Sequence, residues 1–230
     1  MTISVIIPTL NEEQALEETL ADLPLSHTLE TIIVDGGSTD RTLAIANAFR
    51  AHAPNAHIVE APTGRARQMN EGAQVSRGEV LLFLHADTQI PNGAPRIIES
   101  ALEDPAVVGG RFDVKFNTHS RWGRLIGTLM NWRSRTSGIA TGDQAIFVRR
   151  RIFEQLGGFA DIPLMEDIEF SRRLKQAGST VALRQTVTTS FRRWKQQGPL
   201  RTILLMWTLR FLYWAGINPH QLARFYHAVR

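Results

Sequence analysis

Three times within the first ninety residues a continuous apolar run breaks off into a short polar cluster bearing carboxylates. Ile3–Ile7 runs into PTLNEE, Thr31–Val34 into DGGSTD, and Val80–Leu84 into HADT. Unbroken apolar runs of this length belong to strands covered on both faces. Helical segments separate them, among them Arg65–Ser76, with Ala66, Met69, Ala73 and Ser76 along one side. Such alternation predicts βα units and a mainly parallel central sheet flanked by helices, an α/β fold. In an open parallel sheet ligands collect beyond the carboxyl ends of the strands, and all three clusters fall there.

The local signals fill in the rest. Asn11 is placed to cap the first helix, with Glu12 and Glu13 in its opening turn, where the helix dipole favours them. Ser38, Thr39 and Asp40 are placed to cap a second helix running to about Ala53. A short strand at His57–Glu60 and a helix at Ala94–Leu102 complete this half. Val107–Phe116 reads as a long strand that Gly109 and Gly110 weaken or bulge. Residues 119–133 read as a helix, Gln144–Val148 as a strand, and Ile168–Gln176 as a helix opened by Glu166-Asp167. Two Thr/Val-rich strands and one or two helices from Leu200 onward are expected to follow. Without a repeat or a linker, the expectation is one domain over residues 1–230. It divides into residues 1–105, residues 106–190 and basic amphipathic C-terminal helices (191–230).

Charge is distributed unevenly. Residues 170–230 hold 11 Lys plus Arg and no carboxylate, while residues 1–169 carry 15 basic against 22 acidic side chains. The basic third is a field that attracts phosphates or anionic headgroups, or else a solvated basic face. It carries no nucleic-acid-binding motif, so no nucleic-acid partner is expected. Residues 200–217 are apolar and aromatic but interrupted by Arg210, too short a run to span a bilayer. A helix lying in the membrane interface, a core helix and a dimer helix all fit that composition. Absence of cysteine excludes disulfides, zinc–thiolate sites and thiol nucleophiles. The opening TISVIIPTLNEE lacks the basic start of a secretory signal, so the expected location is cytoplasmic, and peripheral to the cytoplasmic face of the membrane if residues 200–217 lie in the interface.

SVIIPTLNEE, DGGSTDRT, the carboxylate after LFLHAD, and EDIEFSRRL arrive in the order and spacing of family 2 glycosyltransferases. The chain resembles that family over residues 2–178, and its FLHADT and GDQAIFVRR segments resemble a compact bacterial subgroup. The resemblance implies the GT-A fold and transfer of a sugar, of hexosyl type, from a UDP- or GDP-sugar. It sets Pro8, Thr9, Leu10 and Glu12 against the donor nucleoside and Asp35 at the base edge. A buried glutamate can accept two ribose hydroxyls, although helix capping is the plainer use of Asn11 and Glu12.

By the same resemblance Ala86 and Asp87 face the donor diphosphate, and Asp87 holds a divalent cation, Mg²⁺ or Mn²⁺. Relatives carry Asp-x-Asp where this chain has His85-Ala86-Asp87, so one carboxylate is replaced by a histidine. A single carboxylate completed by phosphates and water can still hold Mg²⁺. His85 is then a ligand, a donor to phosphate or sugar, or a plain strand-end histidine. Asp167 matches the general base that takes the acceptor proton in an inverting transfer, with Glu166 beside it. The alternative for this pair is dipole complementation at a helix start. Arg65, Arg67, Arg133, Arg135, Arg192 and Arg193 are candidates to hold the diphosphate, Arg67 foremost because it follows strand three. RSRTSG resembles a loop that orders over bound donor. Asp143, Gln144, Arg193 and Trp194 fall where relatives shape the donor-sugar or acceptor pocket. Two other readings stay open: a nucleotide-sugar-binding module without turnover, and a sugar nucleotidyltransferase. The latter lacks its Gly-rich phosphate loop here. The acceptor is not identified by the sequence: the basic, aromatic tail suits a lipid-linked one, while a small soluble acceptor would need no such tail.

Overall fold

The computed structural model describes residues 1–24 and 29–229. Strands β1 (Ile3–Thr9), β2 (Leu29–Asp35), β3 (Ala56–Glu60) and β4 (Val80–Phe83) stand parallel in the order β3-β2-β1-β4. Helices α1 (Glu13–Ala21), α2 (Thr42–His52) and α3 (Arg65–Val75) make the crossovers. Because side chains alternate across a strand, each strand feeds two cores. On β1, Ile3, Val5 and Ile7 pack with Leu16 and Leu20 of α1 and Ala46 of α2. Ile6 turns to the opposite face, against Ala66 and Met69 of α3. β4 divides likewise, Val80 and Leu82 to one side, Leu81 and Phe83 to the other. Each such side chain contributes about 1.5–3 kcal/mol when buried, and a slip of one residue would exchange the faces. That register holds the three polar clusters at one edge.

The second half is mixed. β7 (Ile146–Arg149) pairs antiparallel with both β4 and β6 (Val107–Phe116). β8 (Ser179–Thr189) runs parallel to β6 and meets the two-residue β5 (Thr88–Gln89). Gly109 and Gly110 remain within β6 because their neighbours crowd them. A Cβ on Gly109 would meet the Phe147 carbonyl oxygen, and one on Gly110 the Val181 carbonyl oxygen. α4 (Ala94–Ala101) buries Ile98 in the first core, while α6 (Arg150–Gln155) and α7 (Glu166–Ala177) pack on the second. Phe83, Phe153, Phe159 and Phe170 form its aromatic centre, with the Phe159 and Phe170 ring centroids 4.5 Å apart. Phe170 thereby anchors α7 and fixes where Glu166 and Asp167 stand.

Several expectations need correction. The segment after α7 is one strand, not two. Its pairing to β6 jumps from Ala182 to Thr186, and Leu183, Arg184 and Gln185 fall in the bulge. The helix expected over 119–133 is α5 (Arg121–Ser137), so RSRTSG is a helix end rather than a loop. Ser120 caps its start, and Gly138 closes it at φ 69°. Gln144 lies in a short 3-10 turn (Gly142–Gln144) ahead of β7, not in the strand. Three helices close the chain: α8 (Arg192–Gln197), α9 (Pro199–Trp214) and α10 (Pro219–Val229).

Candidate active site

The first two polar clusters bind each other. Asn11 does not cap α1. Its side-chain oxygen accepts from the Thr39 amide at 2.8 Å, and its own amide donates to Ser38 Oγ at 2.9 Å. Asp40 accepts from the amides of Glu13 and Thr42, joining the starts of α1 and α2. Asp35, 1% exposed, closes its own turn by accepting from the amides of Gly37 and Ser38 at 2.9 and 2.8 Å. Thr9 is buried beside it and donates to the Val34 carbonyl, while Leu10 is exposed and Pro8 half-buried. Glu12 is held by Arg192 of α8 at 3.1 Å. Pro8, Thr9, Leu10, Glu12 and Asp35 are thus brought to one edge.

Asp87 follows β4 at the same edge and lines a cavity of about 200 Å³ with Gln14, Glu18, Gln89, Asn117 and Arg192. Ala86 is buried, its carbonyl accepting from Thr19 Oγ1. Arg67 points elsewhere. Its Nε donates to both oxygens of Asp161, at 2.8 and 3.0 Å. Arg65, two residues earlier on α3, faces the carboxylates instead, 3.5 Å from Glu166.

A second group gathers around Arg65. His85 Nδ1 lies 3.0 Å from Asp143 Oδ1. Burial opposes the charge on Asp143, but the hydrogen bond from His85 and the nearby Arg65 and Arg193 outweigh it and hold its carboxyl at about 2. A Cβ on Gly142 would collide with His85 Nε2, so only glycine lets this turn lie against the ring. The Gly142 amide donates to Asp167 Oδ2 at 2.9 Å, tying the turn to α7. Glu166 is 4% exposed. Burial and the adjacent Asp167 raise its pKa, and Arg65 offsets only part of this. Burial likewise opposes the charge on Arg65, yet Glu166, Asp143, Asp167 and Asp87 together raise its pKa above the ordinary value. Asp167 is half-buried, which leaves it the more accessible carboxylate of its pair.

Three non-glycine residues among those described have left-handed backbone: Asn11 (φ 53°), Ala145 (φ 47°) and Met165 (φ 71°). They adjoin Glu12, Gln144 and Glu166 respectively. Backbone strain of about 1 kcal/mol or more at each site is characteristic of functional constellations. Gln144 is wholly buried and braces the turn, accepting from Ser134 Oγ at 2.6 Å. Trp194 packs with Phe116 and Phe191, and Arg193 lies 5.2 Å from the Tyr226 ring while its charge acts on Asp143. Gly142 and Arg210 were not singled out by sequence. A glycine chosen for a neighbour's side chain leaves no local signal, and Arg210 sits inside an apolar helix far along the chain.

Residues 4–157 match the family model described as Glycosyl transferase family 2. The chain belongs to that family. This family 2 chain is 32% identical over 162 residues to the undecaprenyl-phosphate 4-deoxy-4-formamido-L-arabinose transferase of Sodalis glossinidius (strain morsitans). The match covers 64% of this chain and 48% of that protein, so the chain spans about half the length of the curated relatives it matches. Among solved structures it resembles S. aureus TarS in complex with UDP-GlcNAc, at TM-score 0.65 and 20% identity over 83% of this chain and 58% of that one. It also resembles the mannosyltransferase PcManGT from Pyrobaculum calidifontis in complex with GDP-Man and Mn²⁺, at TM-score 0.62 and 24% identity, covering 81% and 56%. The fold is therefore of the GT-A type. Asp167 lies beyond the matched segment, in the part of the chain that α7 to α10 build.

Proposed function

We propose that this chain transfers a sugar from a UDP- or GDP-sugar to a polyprenyl-phosphate acceptor at a membrane surface, with inversion. The observation that carries the reading is the convergence of Asp87, Asp143, Glu166 and Asp167 around Arg65 at the carboxyl edge of the sheet. The nucleoside lies along Pro8, Thr9, Leu10, Glu12 and Asp35, and Arg65 rather than Arg67 offers its charge to the diphosphate. An oxygen of the acceptor's phosphate attacks the anomeric carbon opposite the diphosphate, the bond to the nucleotide breaks with the diphosphate leaving, and Asp167 takes the one proton that the phosphate monoanion carries. His85 and Asp143 hold each other and line the donor-sugar side. The Asp87 cavity also holds the Arg192 guanidinium, and the described residues bring together no cluster of three carboxylate or histidine ligands, so a hard divalent ion would rest on Asp87 with nucleotide phosphates and water completing its shell. When bound, Mg²⁺ or Mn²⁺ neutralises charge on the leaving diphosphate.

The acceptor class draws support from the named lipid-phosphate transferases and from α9. Its outward residues Leu200, Leu204, Trp207, Phe211 and Trp214 are 62–81% exposed. Trp122, Leu125, Leu129 and Trp132 make a similar exposed stripe on α5. Among the described residues no helix is long and apolar enough to cross a membrane. Apolar stripes beside arginines suit helices lying in an anionic interface. The test is nucleotide release from a panel of nucleotide-sugars, with and without undecaprenyl phosphate in mixed micelles and Mn²⁺. One donor is expected to give lipid-dependent release. Asp167→Asn is expected to lower it by about 10²–10⁴ while keeping the donor-induced rise in melting temperature. Asp87→Ala is expected to lose that metal-dependent rise. Release from no donor, with no thermal shift, overturns the proposal; a thermal shift without release leaves a binding module.

A further inference from the structure

α5 and α9 share one cluster, with Ile126 and Met130 of α5 and Ile203 of α9 gathered around Phe116 and Phe191. The other flank of α9 packs on the start of α7, where Leu205 and Leu209 meet Met165 and Ile168. α5 and α9, whose outer faces are apolar, thus form a wedge with the start of α7, where Asp167 stands half-buried. Two arginines sit in this wedge, Arg133 on α5 and Arg210 on α9. Nε and Nη2 of Arg133 are fully shielded from solvent and have no hydrogen-bond partner. Among the described residues neither guanidinium forms an ion pair.

The segments that build the wedge explain why. No Asp or Glu occurs between Asp113 and Asp143, or after Glu169, so α5, α8, α9 and α10 contain no carboxylate to serve as a local counter-ion. Burial weakens the hold of both guanidinium groups on their protons, and for Arg133 the charge of Arg210 adds to it. Asp167 and Asp143 attract both without bonding to either. Arginine does not shed its proton at neutral pH, so the shielded, unpartnered N–H groups of Arg133, beside the charge of a second arginine, are costly unless an anion completes them.

We propose that Arg133 and Arg210 form the binding site for the acceptor's phosphate, a monoester oxyanion carried at the head of an apolar chain. The guanidinium fork matches two phosphate oxygens, and two forks from different helices clamp one group beside Asp167. Position separates this site from that of the donor diphosphate. Arg65 opens α3 and Asp87 follows β4, whereas Arg133 and Arg210 stand on α5 and α9. The apolar chain then lies along the outer stripes of α5 and α9. The assignment rests on the lipid-phosphate reading above and gives it specific residues.

The test compares binding of undecaprenyl phosphate and undecaprenol in neutral-detergent micelles for wild type, Arg133→Met, Arg210→Met and Arg133→Lys. Inorganic phosphate, and UDP with Mn²⁺, serve as separate thermal-shift probes. Wild type is expected to prefer the phosphate by about tenfold or more. Both Met variants are expected to lose that preference, Lys to keep part of it, and all to keep the UDP-induced shift. A preference retained in both Met variants overturns the site, and so does loss of the UDP shift together with the preference, which would return the arginines to the donor. If wild type ignores the lipid while inorganic phosphate stabilises it and not the Met variants, the site stands and the polyprenyl reading falls. Recognition of neither phosphate overturns both. Because the Met variants remove an unpaired buried charge, they are expected to be at least as stable as wild type, which separates lost binding from lost folding.

Discussion

Replacing Arg133 by Met should make the ligand-free protein more stable, although the substitution deletes a large side chain from the heart of the molecule. The guanidinium is held at about 10, well below its ordinary value, by burial first and by Arg210 second. That shift corresponds to roughly 3 kcal/mol against the charged form. The folded value lies below the unfolded one, so the penalty is fully present at every pH below about 10. It fades only as pH rises from there toward the unfolded value. Lost packing of the arginine stem offsets part of the gain, leaving about 1–3 kcal/mol. For a chain of this length each kcal/mol moves the melting temperature by about 2–4 °C. Thermal and urea unfolding at pH 7, without phosphate, should therefore show Arg133→Met melting about 2–10 °C above wild type. Added phosphate should narrow the gap by stabilising wild type alone. A fall of several degrees would show that the guanidinium has a counter-charge, and the argument for an anion site at Arg133 and Arg210 would collapse with it.

Acid should expose the His85–Asp143 pair. The Asp143 carboxyl is depressed to about 2, so its contribution is present above the unfolded value and lost as pH falls from about 4 through 2. With that side chain 39% exposed, solvent screening reduces the contribution to about 1 kcal/mol, and Asp143→Asn should flatten the acid limb of an unfolding curve by that amount. At the outer face, Leu204→Glu with Trp207→Glu should abolish co-sedimentation with anionic vesicles while leaving the UDP-induced thermal shift intact. Unchanged sedimentation would count against the interfacial role of α9.

What could be read from sequence was what local pattern encodes. β1, β2 and β4 announce themselves because both faces are apolar, and the clusters at their ends follow from chain order. β8 was split in two because Arg184 and Gln185 break its apolar rhythm, and only the partner strand shows that they bulge. RSRTSG suggested a loop because Gly138 is a strong breaker, whereas here it closes α5. The arginines divide by geometry that composition does not carry: Arg67 meets Asp161, Arg65 meets Glu166, and Arg133 meets Arg210 from another helix. Asn11 was assigned to its own helix because a sequence reading ranks near neighbours first, while its bonds cross to Ser38 and Thr39 on the next strand's turn.

That exchange of bonds between two turns has a bearing on inheritance. Neither turn is a self-sufficient unit: Asn11 completes the backbone of one, and Ser38 and Asp40 complete the other. A substitution in either turn removes a hydrogen bond worth about 0.5–1.5 kcal/mol from its neighbour, so single changes carry a modest penalty that a compensating change relieves. The two turns are bound to drift together, and a lineage that acquired a new nucleotide preference would more readily alter the exposed Leu10, which owes nothing to that lattice, than the residues that knit it.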